Sequence, residues 1–352
     1  MRALVALGVS IAVLATASTT QAQSITPPTY TANMFVGQTI TIHKTITLAP
    51  TGANLVDLFF LADNTGSMYG IISNAQSGAT AILGGLPGGV NYNFGVGHYL
   101  GDPSEGGYDP FSYQTITPLT SDQTAAQAGI NTWFASGGGD TPEANFYALQ
   151  QVANTTAWRT GSQRLVVWFG DAPSHTVTTT QAQAIAAMQG VNAQAIAFNS
   201  WGPGTALDES GQATAVASAT GGSVIHNAST LSPSAFASAV TSAISTASAS
   251  LDLVFGSTLV GTGLTLSFLC TDILGCNNVA GGASRTFDVS LTANAPGTYD
   301  FSVFANGVAA TEVDRITVTS GVVPEPSTWI LLATGLFGVG LVARRRRRID
   351  PV

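Results

Sequence analysis

Two hydrophobic patterns divide the chain into a central segment and its flanks. From Val56 to about Ala247, short unbroken apolar runs alternate with longer segments rich in alanine and glutamine. Unbroken apolar runs of strand length are typical of parallel strands buried on both faces, and helices connect such strands. The alternation therefore predicts an α/β domain at residues 54–249, with a doubly wound, mostly parallel sheet between two layers of helices.

The boundaries of the predicted elements follow these runs. The strands are predicted at Val56–Ala62, Tyr92–Leu100, Arg164–Phe169, Val191–Phe198 and Gly222–His226. The helices are predicted at Ile71–Leu83, Asp122–Ala135, Pro142–Ala153, Thr179–Gln189, Leu207–Ala219 and Pro233–Ser248. Tyr113–Thr117 is a candidate for a short antiparallel edge strand.

The flanks have the pattern of half-buried strands. In Gln38–Leu48, isoleucine or leucine occupies most even positions with polar residues between, a strict period of two. Residues 250–320 contain short β-type runs separated by turns, which predict a small β-sandwich. Because Gln38–Leu48 has no partner nearby in sequence, we expect residues 23–50 to add a strand to that sandwich. The α/β domain is then inserted in the sandwich; the alternative is that the sandwich module simply follows it.

The first residues have the composition of an export signal. A single positive charge at Arg2 precedes an apolar run, and small and polar residues then lead to Ala22. This order predicts a secretory signal peptide at residues 1–22. An N-terminal membrane anchor is the alternative, but it would need a longer apolar run.

The C-terminal residues 323–348 combine three signals. Pro324, Glu325 and Pro326 precede an apolar stretch, Trp329–Val342, and five arginines follow at 344–348. The order is similar to the PEP-CTERM sorting signal of Gram-negative bacteria. The resemblance implies a transmembrane helix that an exosortase recognises and removes, leaving the protein at the cell surface or released. A plain C-terminal membrane anchor is the alternative.

Charge excludes one class of partner. Residues 23–323 hold five of the eleven basic and seventeen of the nineteen acidic residues, a formal charge of −12. A protein this acidic is a poor candidate for binding nucleic acid. Anionic polysaccharide would also be repelled unless divalent cations bridge the two.

Three polar side chains follow the first buried strand. Asp63, Thr65 and Ser67 stand at alternate positions where the strand turns into a helix. Ligands bind at the carboxyl ends of strands in such sheets, and three oxygen atoms in one concavity suit Mg²⁺. A polar turn that only caps the helix is the alternative, since these residue types are ordinary N-caps.

Two later segments could complete a metal site. A glycine-rich loop, residues 136–139, leads to Asp140-Thr141-Pro142-Glu143, and its glycines would let Thr141 or Glu143 approach a cation. A second buried strand ends at Asp171.

The order of these three loops resembles the metal-ion-dependent adhesion site of von Willebrand factor A (vWA) domains, and most closely the I-like domain of integrin β subunits. The resemblance implies a Rossmann-like fold and a cation, Mg²⁺ or else Mn²⁺ or Ca²⁺. Its ligands would be Asp63, Thr65, Ser67, Asp171 and either Glu143 or Thr141.

Integrin β subunits hold further ions beside this site. Met68-Tyr69-Gly70 replaces the acidic residues of their regulatory site, which implies that this site is absent. A second ion could bind Asp140, the Pro142 carbonyl and Glu143. Against it, Gly138 stands where an asparagine ligand is expected.

Other chemistry has less support. Cys270 and Cys276 are predicted to form a disulfide in an exported protein, although a metal-binding pair is the alternative. Ser67 could be imagined with His98 or His175 as a hydrolase, but no nucleophile-elbow motif is present. The four histidines are scattered and are interpreted as structural.

These features predict a secreted or surface adhesion protein and not an enzyme. The bound cation would capture an acidic group on a protein or polysaccharide of the cell surface or biofilm matrix. The alternative is a structural matrix protein whose vWA fold has no metal dependence.

Overall fold

The computed structural model describes residues 23–106, 109–308 and 312–321. Within these ranges the chain forms seventeen strands and six α-helices. The strands are β1 (Ser24–Thr26), β2 (Thr29–Phe35), β3 (Thr39–Thr47), β4 (Leu55–Asp63), β5 (Asn91–Tyr99), β6 (Tyr113–Thr120), β7 (Gln163–Gly170), β8 (Ala193–Asn199), β9 (Ser223–Ile225), β10 (Ser250–Leu251), β11 (Phe255–Ser257), β12 (Leu264–Cys270), β13 (Val279–Ala280), β14 (Ser284–Ala293), β15 (Gly297–Phe301), β16 (Val303–Ala305) and β17 (Val313–Thr319). The helices are α1 (Tyr69–Gly84), α2 (Gln123–Asn131), α3 (Asn145–Thr155), α4 (Gln181–Gly190), α5 (Gln212–Thr220) and α6 (Pro233–Ala249).

The central sheet has the order β6-β5-β4-β7-β8-β9. Every pair is parallel except β5–β6, which is antiparallel. The predicted α/β fold class and its mostly parallel sheet are therefore confirmed. Because β4 and β7 are parallel neighbours in register, the residues that follow them emerge at the same edge of the sheet.

Helices cover both faces of this sheet. Buried side chains of α1, α2 and α6 belong to the apolar cluster on one face. Those of α3, α4 and α5 belong to the cluster on the other. Side-chain caps define two of the helix starts: Thr180 forms a capping box with Gln183 at α4, and Ser232 accepts the Ala235 N–H at α6.

Two predicted helices begin later than expected. Residues 142–144, predicted as the first turn of α3, form instead a loop whose Glu143 pairs with Ser174. The predicted helix at Leu207–Ala219 becomes α-helical only at Gln212, because Ser210 and Gly211 take left-handed backbone angles. In both cases local backbone geometry overrides the helix-compatible composition.

The flanking strands form a separate β-rich part. One sheet has the order β1-β3-β14-β12 and a second has β15-β17-β2, with two small two-stranded pairs beside them. β3 pairs with β14 over nine residues, and β2 runs parallel to β17. Segments from both sides of the α/β domain therefore share both sheets. Cys270, at the end of β12, is joined to Cys276 by a disulfide.

One hydrophobic core runs through both parts of the molecule. Its largest cluster contains Ile46 of β3 and Phe287 of β14 together with Val56 of β4 and Ile244 of α6. The α/β domain is thus packed against the β-rich part through apolar side chains, in addition to the chain connections between them.

The signal peptide and the sorting segment predicted at the two ends lie outside the described residues. Within the described ranges, no helix is both long and apolar enough to cross a membrane.

A buried ion pair fixes the amino end of the central strand. Asp57 of β4 has no exposed surface. Arg159 donates through its backbone N–H to Oδ2 at 2.7 Å and through Nε to Oδ1 at 2.5 Å, and Ser162 donates to Oδ2 at 2.8 Å. A second guanidinium nitrogen donates to the Val56 carbonyl at 2.7 Å. The arginine thereby ties the loop before β7 to β4.

We expect Arg159→Ala to lower the free energy of unfolding by about 3 kcal/mol, because the mutation leaves the Asp57 carboxylate buried without its cation. Urea denaturation measures the change. Arg315→Ala is the matched control, since Arg315 also makes two hydrogen bonds to one carboxylate, that of Asp300, but at the surface. The control should change little. Equal small losses for both variants would contradict a structural role for the buried pair.

Candidate metal centre

Three loops meet at the carboxyl edge of the sheet. Asp63 ends β4, Thr65 and Ser67 lie in the turn before α1, and Asp171 directly follows β7. The Ser67 hydroxyl donates to Asp171 Oδ1 at 2.9 Å and lies 3.3 Å from Thr65 Oγ1. Asp171, which is 104 residues from Ser67, therefore joins the side chains of the turn in one cluster.

Backbone hydrogen bonds hold the turn in shape. The Thr65 N–H donates to Asp63 Oδ1 at 2.9 Å, which fixes that carboxylate. The Gly66 N–H donates to the Gly137 carbonyl at 3.2 Å, and the Ser136 N–H donates to the Asn64 carbonyl at 3.0 Å. The glycine-rich loop is thereby held against the turn that carries Thr65.

Gly138 allows this close approach. Its φ is +71°, and an added Cβ would lie 2.6 Å from Thr65 Cγ2 and 2.9 Å from Glu143 Oε1. Any other residue would therefore push the loop or the Glu143 side chain away. The backbone of Glu143 is fixed from the other side, since its N–H donates to the Pro173 carbonyl and its carbonyl accepts the His175 N–H, both at 2.8 Å.

The two buried carboxylates each have one oxygen without a partner. Among the described residues, neither Asp63 Oδ2 nor Glu143 Oε2 accepts a hydrogen bond, although both atoms are buried. Buried oxygens in this state are costly, and a native structure normally explains them by a water or an ion. Carboxylate and hydroxyl oxygens are the ligands that Mg²⁺ and Ca²⁺ prefer, so the donor set fits a hard divalent cation.

The electrostatics of the cluster agree with this chemistry. Burial, and then the charge of Asp171, raises the pKa of Asp63 to about 8. Burial, and then the charge of Asp63, raises the pKa of Glu143 to about 9. Burial also raises the pKa of Asp171. The cause that all three share is burial, which holds their negative charge out of water.

Glu143 and Thr141, the two alternative ligands from the glycine-rich loop, differ in exposure. Glu143 is buried beside the cluster, whereas Thr141 is exposed. Ser67 is also exposed, so the cluster opens to solvent on its side. The geometry thus favours Glu143 over Thr141 as the side chain that faces the other carboxylates.

A second group of potential ligands lies nearby. Glu105, Asp140 and His175 each place one ligand atom within 4.8 Å of the others. His175 Nε2 lies 2.5 Å from Glu105 Oε1 and 3.7 Å from Asp140 Oδ2. From the sequence, Asp140 is predicted to hold a second ion with the Pro142 carbonyl and Glu143. The structure places the Asp140 carboxylate beside Glu105 and His175.

Glu105 and His175 were not identified from the sequence, where His175 was interpreted as structural. Their signal was positional, since each lies in a loop that follows a strand ending at the metal edge. Asp102, in the same loop as Glu105, has a local role: its Oδ1 accepts the N–H and the hydroxyl of Ser104 and the hydroxyl of Thr178.

Comparison with known proteins agrees with this geometry. Residues 53–199 match the family model of the integrin beta chain VWA domain. Residues 322–348 match the PEP-CTERM protein-sorting motif, which is typical of proteins exported to the cell surface in Gram-negative bacteria. A search of curated protein sequences finds no match.

Three of the solved structures that resemble this chain come from bacteria. A von Willebrand factor type A protein from Catenulispora acidiphila is 15% identical, with a TM-score of 0.45 over 86% of this chain and 75% of that one. The pilus adhesin SpaC from Lactobacillus rhamnosus GG is 11% identical, with a TM-score of 0.41 over 80% and 45%. BatB from Bacteroides thetaiotaomicron is 17% identical, with a TM-score of 0.40 over 55% and 98%.

The raised pKa of Asp63 predicts how pH changes the stability of the metal-free protein. Between the ordinary aspartate value of 3.8 and about 8, the folded protein keeps a proton that the unfolded chain has released. Stability must then fall as pH rises through this window. Urea denaturation in EDTA at several pH values should show this fall in the wild type, and a weaker fall in Asp63→Asn.

Saturating Mg²⁺ should reduce the fall in the wild type, since a bound cation favours the ionised carboxylates. The same series with Mg²⁺ in place of EDTA measures this. Identical pH dependence of the wild type and Asp63→Asn would contradict the electrostatic account of the cluster.

Proposed function

We propose that the protein is a cation-dependent adhesin of the cell surface, because residues 53–199 match the family model of the integrin beta chain VWA domain. Asp63, Thr65, Ser67, Glu143 and Asp171 hold the cation, Mg²⁺ or else Mn²⁺ or Ca²⁺. Adhesion domains of this kind are generally not enzymes, and we propose binding rather than catalysis.

The main support for the proposal is a pair of buried oxygens, Asp63 Oδ2 and Glu143 Oε2. No donor among the described residues reaches either atom, and both lie near Ser67 and Asp171, which are hydrogen-bonded to each other. This set of oxygens gives a divalent cation several protein ligands and leaves the side near Ser67 open to solvent. The cation, when bound, supplies a Lewis acid that can accept a carboxylate oxygen from a partner.

The surroundings of the cluster fit a binding surface. Tyr69, at the start of α1, is 75% exposed, and Trp201, just beyond the end of β8, is 55% exposed. Both follow elements that end at the metal edge. Exposed aromatic rings are enriched in binding surfaces for proteins, and they also stack on the faces of sugars. The acidic protein surface itself repels acidic partners, so capture of a carboxylate requires the cation.

Export and processing form part of the proposal. The signal peptide at residues 1–22 directs secretion, and the motif Pro324-Glu325-Pro326 marks the chain for an exosortase-type enzyme. The protein then reaches the surface or the biofilm matrix, where its ligand is an acidic group on a protein or polysaccharide. Contact with the membrane is limited to the sorting helix.

Calorimetric titration of Mg²⁺ into the EDTA-treated protein tests the metal site. We expect saturable binding to the wild type and none to Asp63→Ala, because Asp63 is the buried carboxylate at the centre of the cluster. Asp288→Ala, a change on the β-rich part, is the matched control and should bind as the wild type does.

Absence of binding in the wild type, with the fold intact by circular dichroism, would contradict the metal site. It would favour a structural matrix protein without metal dependence.

Binding to a carboxylated polysaccharide tests the proposed ligand chemistry. We expect the protein to bind immobilised polygalacturonate in Mg²⁺ and to be released by EDTA, since the bound cation accepts the carboxylate. The fully methyl-esterified polymer is the control, because it has the same sugars without the charge, and it should not bind. Equal binding to both polymers would contradict capture through a carboxylate.

A further inference from the structure

Three ionisable residues occupy core positions of the β-rich part. Lys44 lies on the inward face of β3 between Ile42 and Ile46, where the period of two calls for an apolar residue. Glu312 directly precedes β17, and Asp314 lies on the inward face of that strand. All three side chains are fully buried.

The lysine contacts both acids. Its Nζ touches Glu312 Oε2 and lies 3.1 Å from Asp314 Oδ2. The other oxygen of Glu312, Oε1, accepts the N–H of Val303 at 2.8 Å. Lys44, on a strand of one sheet, therefore contacts the carboxyl group of Glu312, which leads into a strand of the other sheet. The carboxyl group of Asp314 lies beside both.

The surroundings of the three groups are apolar. Phe287 is the register partner of Lys44 on β14, and Phe301 is the register partner of Asp314 on β15. Both rings are buried in the core. Water is thus excluded from the cluster by aromatic side chains.

Charge does not balance in this core. Within the described ranges, the ion pairs of Glu312 and Asp314 are both with Lys44, so two acids share one cation. Charges buried in this way are costly even when paired. Burial raises the pKa of Glu312, which favours its neutral form.

We propose that Lys44 and Glu312 condense to form an isopeptide bond across the core, with Asp314 as the proton carrier. The site is a self-modification site of the folded protein, and it needs no external enzyme or oxidant. It is independent of the metal centre and of the ligand that the α/β domain binds.

The reaction balances as a dehydration. Asp314 takes a proton from the lysine ammonium, and the neutral amine attacks Cδ of protonated Glu312. The N–Cδ bond forms and the Cδ–Oε2 bond breaks. Oε2 leaves as water with its own proton and one that Asp314 returns, and Asp314 then takes the second amine proton and ends as the neutral acid. Overall, an ammonium, a carboxylic acid and a carboxylate give one amide, one water and one protonated carboxyl group.

Two features of the site promote this step. Oε1, the oxygen that remains as the amide carbonyl, already accepts the Val303 N–H, which stabilises the negative charge that develops there during attack. Holding the amine against the carboxyl group replaces an encounter in water with an intramolecular step. For well-oriented groups, such steps reach effective molarities of about 10⁵ M or more. The product also removes two buried charges from the core.

The bond would close the β-rich part around the inserted domain. Lys44 precedes the α/β domain and Glu312 follows it, so the amide would enclose the whole domain in a covalent loop. Force applied through the C-terminal segment would first peel β17 from β2 and β15. Since Glu312 directly precedes β17, the bond would stop unfolding at that residue and pass the force to β3.

Mass spectrometry of the full, purified protein tests the proposal. After reduction of the disulfide, we expect the wild type to be lighter than its processed sequence by the mass of one water molecule. A chymotryptic digest should contain one peptide pair in which Lys44 Nζ is joined to Glu312. Lys44→Met, which keeps the length of the side chain without the amine, should show the full mass and a lower melting temperature.

Asp314→Asn separates the proton carrier from the acyl partner. We expect this variant to form the bond more slowly and to contain a mixture of the two masses. The wild-type result does not depend on whether any variant folds. Full mass in the folded wild type would overturn the proposal, and a cross-link to Asp314 would overturn the assignment of Glu312 as the acyl partner.

Discussion

The α/β domain depends on one constraint: it holds negative charge out of water at the carboxyl edge of the central sheet. The parallel pairing of β4 and β7 puts Asp63 and Asp171 at the same edge, and the glycine-rich loop adds Glu143. Asp63 and Glu143 are buried and Asp171 is half-buried, by elements that also contribute to the core. Their mutual repulsion is the physical reason for assigning the edge to a cation, because no arginine or lysine among the described residues pairs with them.

The opposite edge of the sheet meets a similar requirement differently. There the buried Asp57 is neutralised by Arg159 and by two further donors, so the fold needs no ion. Asp57 has its own arginine, whereas the three carboxylates at the other edge have none among the described residues. The amino edge is therefore held together by an ion pair, and the carboxyl edge is the proposed metal site. The β-rich core contains a third arrangement, in which the single positive charge of Lys44 faces two acids, Glu312 and Asp314.

The α/β class and the edge strand were predictable because unbroken apolar runs and their spacing depend on local sequence alone. Asp63 and Asp171 could be grouped for the same reason, since each follows such a run. The start of α3 was predicted too early, because the pairing of Glu143 with Ser174 joins distant segments and leaves no local signal. Glu105 and His175 were missed on similar grounds, as their proximity depends on how two loops fold over the sheet edge. The partners of Lys44 lie more than two hundred residues away, and only the strand alternation marked it as a core position.

Anomalous diffraction from a crystal soaked in Mn²⁺ would locate a bound cation directly. Manganese has a strong anomalous signal and prefers the same oxygen ligands as Mg²⁺. We expect one peak bounded by Asp63, Ser67, Glu143 and Asp171, which is lost in Asp63→Ala. A peak confined to Glu105, Asp140 and His175, or no peak in a well-ordered crystal at saturating Mn²⁺, would contradict the proposed metal site.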